Sequence, residues 1–262
     1  EAGGLQISQE PVTGETLLVP IHQWFFEQDI PQRHHWNQAL LLKPGAALDP
    51  EVLEQALQAL VVHHDALRLS FTSDNSRWTA SYHAPSQRSE LRWHVTVDDE
   101  QALQTELNKA QRSLDLQNGL VLRAVLAVMA DGSQRLLLAI HHLVVDGVSW
   151  RILLEDLQTA YQQMLAGHAL KLPAKSSSFK AWAEHLHDYA ISQACTAELG
   201  YWQAQLRDAS DALPCDHPHG GRQRKHAAYA QTRLDRETTA RLLQEAPAAY
   251  RTQINDLLLT AL

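Results

Sequence analysis

The stretch from Leu136 to Trp150 constrains this chain most. An apolar run, Leu136-Leu137-Leu138-Ala139-Ile140, leads into His141 and His142, and Leu143-Val144-Val145-Asp146-Gly147-Val148-Ser149-Trp150 follows. A short apolar run bounded by polar residues fits a buried strand. Beyond the loop, Trp150, Leu153, Leu154, Leu157, Tyr161 and Met164 recur at helical spacing and mark one face of a helix. The stretch therefore reads as buried strand, polar loop, helix start. A junction of this kind suits reactive groups, because a rigid strand aims the side chain and the helix N-terminus adds a positive end. Ser149 is the expected helix cap, and Gly147 is expected to permit a turn or a close backbone approach.

The remaining chain reads as scaffold for this junction. With 262 residues, 45% of them apolar, it is long enough for one large domain or two modest lobes. Asp49-Pro50-Glu51 starts a helix carrying Leu53, Ala56, Leu57 and Leu60 on one face. A helix is expected from Val19-Pro20-Ile21 to Pro31, and another over Glu100–Arg112. Strands are expected over Trp36–Leu42, Ala66–Phe71, Trp78–Tyr82, Leu91–Val97, Leu120–Met129 and Gln134–His142, with turns at Ser73–Ser76 and Asp131-Gly132. Phe179–Leu206 reads as helix, 207–225 as loop, Ala227–Leu234 as a strand, and Arg236–Gln244 and Thr252–Leu262 as helices. Long strands with covering helices imply α/β sandwich layers.

A net charge of −8 and the lack of a basic run argue against a nucleic-acid partner, and no apolar run approaches a membrane span. Two cysteines, Cys195 and Cys215, make no disulfide framework and fit a reducing, cytoplasmic compartment. The chain lacks an initiator Met and a signal peptide and stops inside an apolar segment, so a fragment of a longer polypeptide is expected.

Successive strand residues face opposite ways, so His141 and His142 cannot share one cavity; one packs inside and the other is free to exchange protons. Asp146 either orients a histidine or pairs with an arginine and holds the loop. No third ligand stands at metal spacing, and no metal is expected. Cys215-Asp216-His217-Pro218-His219 is read as surface loop, and His34, His35, His63 and His64 as paired polar positions without partners. Glu155 reads as a solvated charge and Asp156 as a surface or capping partner.

His141-His142-Leu143-Val144-Val145-Asp146-Gly147 matches HHxxxDG and resembles the condensation-domain superfamily of nonribosomal peptide synthetases. Pro20-Ile21-His22-Gln23-Trp24-Phe25-Phe26-Glu27, His35-Trp36-Asn37-Gln38 and Tyr250–Leu258 are similar to segments of its epimerization branch, and Leu199-Gly200-Tyr201-Trp202 resembles another block of the superfamily. Val148-Ser149-Trp150 stands where condensation domains more often place Trp directly after the glycine.

The resemblance implies a chloramphenicol acetyltransferase-like fold: two α/β lobes, each a mixed, largely antiparallel sheet with covering helices, flanking a tunnel for pantetheine arms. It implies a linker from a preceding carrier domain at 1–16, an N-terminal lobe at 17–175 and the beginning of a second, incomplete lobe at 176–262. It implies inversion of the Cα of an aminoacyl or peptidyl thioester, L to D, in peptide secondary-metabolite synthesis. His142 is then the proton-transfer residue. His141, Asp146, Gly147 and Arg68 are supporting, Asp146 pairing with Arg68; Ser149, Trp150 and Trp24 are channel candidates. The second proton-transfer group, a glutamate of the second lobe, is assigned to no residue here, and residues 1–262 alone are expected to be inactive. No cofactor is bound; the phosphopantetheine arm comes with a peptidyl carrier protein, and the condensation domain of the next module is the other partner. The alternatives are a condensation domain that forms a peptide bond and a docking module without catalysis.

Overall fold

The structure is a computed structural model that describes residues 7–75, 77–86, 91–209, 215–217, 219–221, 223 and 226–261. Strand β1 (Gly14–Thr16) is followed by helix α1 (Pro20–Glu27), strand β2 (Asn37–Leu42) and helix α2 (Pro50–His63). Strands β3 (Leu69–Asp74), β4 (Arg77–Tyr82) and β5 (Arg92–Val97) come next, then helix α3 (Glu100–Arg112) and the long strands β6 (Leu122–Met129) and β7 (Gln134–His141). Helices α4 (Gly147–Leu165), α5 (Phe179–Ala190) and α6 (Gln193–Leu206) follow. Beyond them lie α7 (Arg236–Ala240), α8 (Ala246–Tyr250) and α9 (Ile254–Ala261).

The principal sheet has the order β2-β7-β6-β5, with β5–β6 parallel and the other pairs antiparallel. A parallel pair needs a crossover, and α3 supplies it. Leu122, Ala124 and Leu126 of β6 and Leu136, Leu138 and Ile140 of β7 pack under α2 and α4 with Leu53, Leu57, Leu60, Leu153 and Leu157. The alternate residues Val125, Ala127, Leu137 and Ala139 pack against Leu103, Leu107 and Ala110 of α3. Both faces are covered, which is why β6 and β7 read as continuous apolar runs. Each fully buried leucine contributes about 1.5–3 kcal/mol through apolar burial. A smaller sheet, β1-β4-β3, packs on Phe25, Leu116 and Val121. This is the mixed, largely antiparallel sheet with covering helices that the resemblance implies.

Several elements differ from their sequence reading. Helix α1 stops at Glu27, before Pro31. Ala66, Leu67 and Arg68 lie in a 3₁₀ turn, so β3 begins only at Leu69. Ser73 and Asp74 belong to β3, and the turn tightens to Asn75, at φ 47°, with Ser76 outside the described residues. The long helix at Phe179–Leu206 breaks after Ala190; the Ser192 amide bonds the Tyr189 carbonyl, and the Ser192 hydroxyl then accepts from the Cys195 amide. Ala227–Leu234 has no strand, since among the described residues no neighbour completes a ladder with it.

Within 1–16, the described residues begin at Ile7. Residues 14–16 pair with β4, and Gln9 bonds both the amide and the carbonyl of Lys175. Contacts divide the chain between Ala204 and Gln205. The unit carrying the histidine loop retains α5, because Lys180 donates to the Thr13 carbonyl and Phe179 packs on His22. In the second unit a π turn, Arg241–Glu245, joins α7 to α8, and Arg251 is left-handed at φ 51° before α9.

Candidate functional site: the histidine loop

The sheet register positions both histidines. Asn37 stands opposite His141 and Gln38 opposite Ile140. The ladder runs one bond further, from the His142 amide to the Trp36 carbonyl at 2.9 Å. His141 therefore continues the Leu137–Ala139 side of the sheet, whereas Gln38 and His142 share the side of Ile140, beneath α4.

His141 is fully buried. Its Nε2–H donates to the Arg33 carbonyl at 2.8 Å, and its Nδ1 accepts from the Leu143 amide at 3.1 Å. Burial drives its pKa down to about 4, against the raising effect of the Arg33 carbonyl. A second proton on this ring has no acceptor, because the Leu143 N–H already points at Nδ1. His141 is thus a neutral brace. His22, buried in α1, adds a second one by donating from Nε2 to the Leu143 carbonyl at 3.2 Å.

His142 is exposed. Its Nδ1 lies 2.8 Å from the Val145 carbonyl, and its Nε2 lies 3.2 Å from Gln38 Nε2. Gln38 Oε1 accepts from the Trp150 indole at 2.8 Å. The network is complete for a ring with its proton on Nδ1 and a lone pair on Nε2. That is the form a general base requires.

Asp146 does not pair with Arg68. It is exposed and caps α4, its Oδ1 accepting from the Val148 amide at 3.1 Å, the Ser149 amide at 2.8 Å and the Ser149 hydroxyl at 2.7 Å. Those Ser149 bonds hold its carboxyl below the ordinary range, so it stays ionised at the positive end of the helix. Ser149 is consequently not the cap; it lies inside the first turn of the helix and donates to the cap. The Arg68 side chain is buried with Asp65 instead, and the Asp65 carboxylate also binds Lys175 at 3.0 Å. The guanidinium reaches the carbonyls of Val61 and Val62, both at 2.7 Å, His83 at 3.0 Å and Val12 at 3.3 Å. It closes the C-terminal end of α2, where carbonyls lack helical partners. Asp65 lies three residues away and fills the carboxylate role first.

Gly147 has no positive φ, and a Cβ built there meets nothing within 4 Å, so neither a strained turn nor a close backbone contact explains it. Trp150 is buried against the core, its indole N–H reaching Gln38 and its backbone amide the Asp146 carbonyl. Trp24 is 53% exposed on α1, away from Phe25, which enters the core.

Asp156 is buried rather than at the surface, and it binds His64 at 2.8 Å, linking α4 to the end of α2. His64 thus has a partner, His63 packs edge-on against the His64 ring, and the three side chains bring metal-type ligand atoms within 4.8 Å of one another. Burial lowers the His64 pKa. His34 also has a partner, since its Nδ1 accepts from the Leu116 amide at 3.0 Å. In the loop at 215–219 the described residues are exposed, and Pro218 lies outside them. Sequence reasoning assigns no role to Gln38, His22 or the Val145 carbonyl. The parity of β2 against β7 is the available signal for Gln38; the others depend on how the loop folds back.

The chain matches the family model "Condensation domain" over residues 12–262. It is 44% identical over 260 residues to a linear gramicidin synthase protein of Brevibacillus parabrevis, covering 97% of this chain and 5% of that protein. It is 43% identical over 267 residues to surfactin synthase subunit 1 of Bacillus subtilis (strain 168), covering 99% of this chain and 7% of that one. The chain therefore spans only a small part of these relatives. Among solved structures it is similar to the epimerization domain from the third module of tyrocidine synthetase B, with 36% identity and a TM-score of 0.87 over 97% of this chain and 59% of that one. The first condensation domain of the calcium-dependent antibiotic synthetase, bound to a substrate analogue, shares the fold at 22% identity and a TM-score of 0.63, over 76% of this chain and 49% of that one. With its histidine loop, its sheet order and a family match reaching from β1 to α9, this chain belongs to the condensation-domain family.

Proposed function

We propose that this chain is part of an epimerization domain. It inverts the Cα of an aminoacyl or peptidyl thioester, L to D, while the thioester hangs on the phosphopantetheine arm of a carrier protein in nonribosomal peptide synthesis. The observation that carries this reading is the likeness to an epimerization domain, at 36% identity over 97% of the chain. The Nε2 atom of the exposed His142 supplies matching chemistry: a fixed lone pair that takes the Cα proton while charge moves onto the thioester oxygen. A second group on the opposite face returns a proton. The arm belongs to the carrier, so the chain needs no bound cofactor; a peptidyl carrier protein and the next module's condensation domain are its partners. Free Cys195 and Cys215 suit a cytoplasmic site of action, and no described helix is long and apolar enough to cross a membrane.

The test loads a carrier protein with an L-alanyl, L-leucyl or L-phenylalanyl arm and incubates it with the full-length protein in heavy water. Deuterium at Cα with mixed chirality is expected, and His142→Ala is expected to lower uptake by about 10²–10⁴-fold without loss of fold. Peptide-bond formation with an acceptor arm, in place of deuterium uptake, identifies a condensing enzyme. Carrier binding with neither reaction identifies a docking module.

A further inference from the structure

We infer that Gln38 is the hydrogen-bond donor that receives the thioester oxygen when His142 takes the Cα proton, with Trp150 as the residue that aims it. This inference rests on the epimerase reading. An indole N–H only donates, so the atom 2.8 Å from Trp150 Nε1 is the Gln38 oxygen. That orientation leaves the Gln38 amide NH₂ facing His142, 3.2 Å from its Nε2. Donors therefore run one way, from Trp150 to Gln38 to His142 to the Val145 carbonyl. Trp150 is buried at the foot of α4 and Gln38 is held in the β2–β7 ladder, so the amide is hinged at its oxygen on two packed elements.

At rest the Gln38 NH₂ covers the lone pair that the reaction uses. A Cα–H that approaches Nε2 displaces it. The amide keeps its bond to Trp150, and its freed N–H meets the acceptor nearest Cα, the thioester oxygen. The Cα–H bond then breaks, its proton bonds Nε2, and the electron pair moves through the carbonyl onto that oxygen. The Gln38 N–H stabilises the resulting enolate. Protonation of Cα from the opposite face returns the electron pair and leaves the inverted centre, and His142 gives its proton to solvent. No oxidant or leaving group takes part. Removing one such donor costs about 10²–10³-fold in kcat in comparable sites.

The experiment measures Cα deuterium uptake by the full-length protein on the same loaded carriers. Gln38→Glu keeps an acceptor for Trp150 but loses the donor; Gln38→Met loses both; Trp150→Phe keeps the packing and loses the indole N–H. The expected result for both Gln38 variants is a kcat lower by about 10²–10³-fold, with KM for the carrier within about threefold. Trp150→Phe falls by about tenfold, because the amide is free to turn. Selective ¹⁵N-histidine spectra are expected to show the Nδ1–H tautomer of His142 in the wild type and a mixture of tautomers in Gln38→Met, a signature that lost packing alone does not produce. Gln38→Glu and Gln38→Met retaining more than about a third of wild-type kcat overturn the role of Gln38, as does an effect confined to KM. No uptake by the wild type, or full uptake by His142→Ala, overturns the epimerase reading and this inference with it.

Discussion

His141 and His142 are neighbours in sequence and carry opposite tautomers. His141 donates from Nε2 and accepts at Nδ1, and His142 does the reverse. Strand alternation alone divides them into brace and worker. The acceptors that choose each tautomer, the carbonyls of Arg33 and Val145, come from loop paths that no spacing reveals. Arg68 shows the limit from the other side. Its burial with a carboxylate is readable, but the carboxylate is Asp65. Arg68→Met takes one of two cations from Asp65 and one donor from each of four carbonyls. The expected cost is about 3–5 kcal/mol, read as a lower urea midpoint. Asp65→Asn should cost less, because its amide still bonds a neighbour; equal stability of Arg68→Met and the wild type would contradict this assignment.

At the scale of elements, β7, the loop and α4 form one unit whose parts brace each other. The strand orients His142, His22 and His141 hold the loop between them, and Asp146 starts the helix that brings Trp150 onto Gln38. The strand and helix are readable from the apolar run and from helical spacing. The cap is not, because Ser149 and Asp146 both have capping chemistry, and only the backbone at 146, φ −139° and ψ −177°, shows where the extended chain ends. Asp146→Ala is therefore expected to cost about 1 kcal/mol, as the loss of a helix cap, rather than the several kcal/mol of a broken buried pair. Chemical denaturation separates the two, and Asp146→Ser should restore most of the loss.

For the whole molecule, pH is the most direct probe of how these buried groups add up. Burial lowers the pKa of His141, His22 and His64 below 6.5. Below that value the unfolded chain binds more protons than the folded one, so stability is full above pH 6.5 and declines as pH falls. For His141 the decline runs to about pH 4 and amounts to roughly 3 kcal/mol. Asp65 acts lower down. Burial raises its carboxyl, but the Val12 amide, Arg68 and Lys175 outweigh that and hold it below 3.8, so its contribution is lost only as pH falls further. Urea midpoints at pH 7.5, 5.5 and 4.5 should fall in that order, and His141→Gln should start lower and fall less steeply. A midpoint that does not move between pH 7.5 and 4.5 would contradict the burial of these rings.

The sequence by itself determined the apolar strands β6 and β7, the apolar stripes of α2 and α4, the strand–loop–helix junction and the family to which they belong. Each rests on local periodicity or on a contiguous motif. Only the tertiary structure decided which carboxylate holds Arg68, which residue caps α4, that Asp156 is buried on His64, and that Gln38 stands between Trp150 and His142. The pairings of Asp156 with His64 and of Gln38 with Trp150 and His142 join residues far apart in the chain, and a polar group accepts whichever partner the packed elements bring within hydrogen-bonding distance. The histidine pair is therefore visible in the sequence, while the network that makes His142 a base is not.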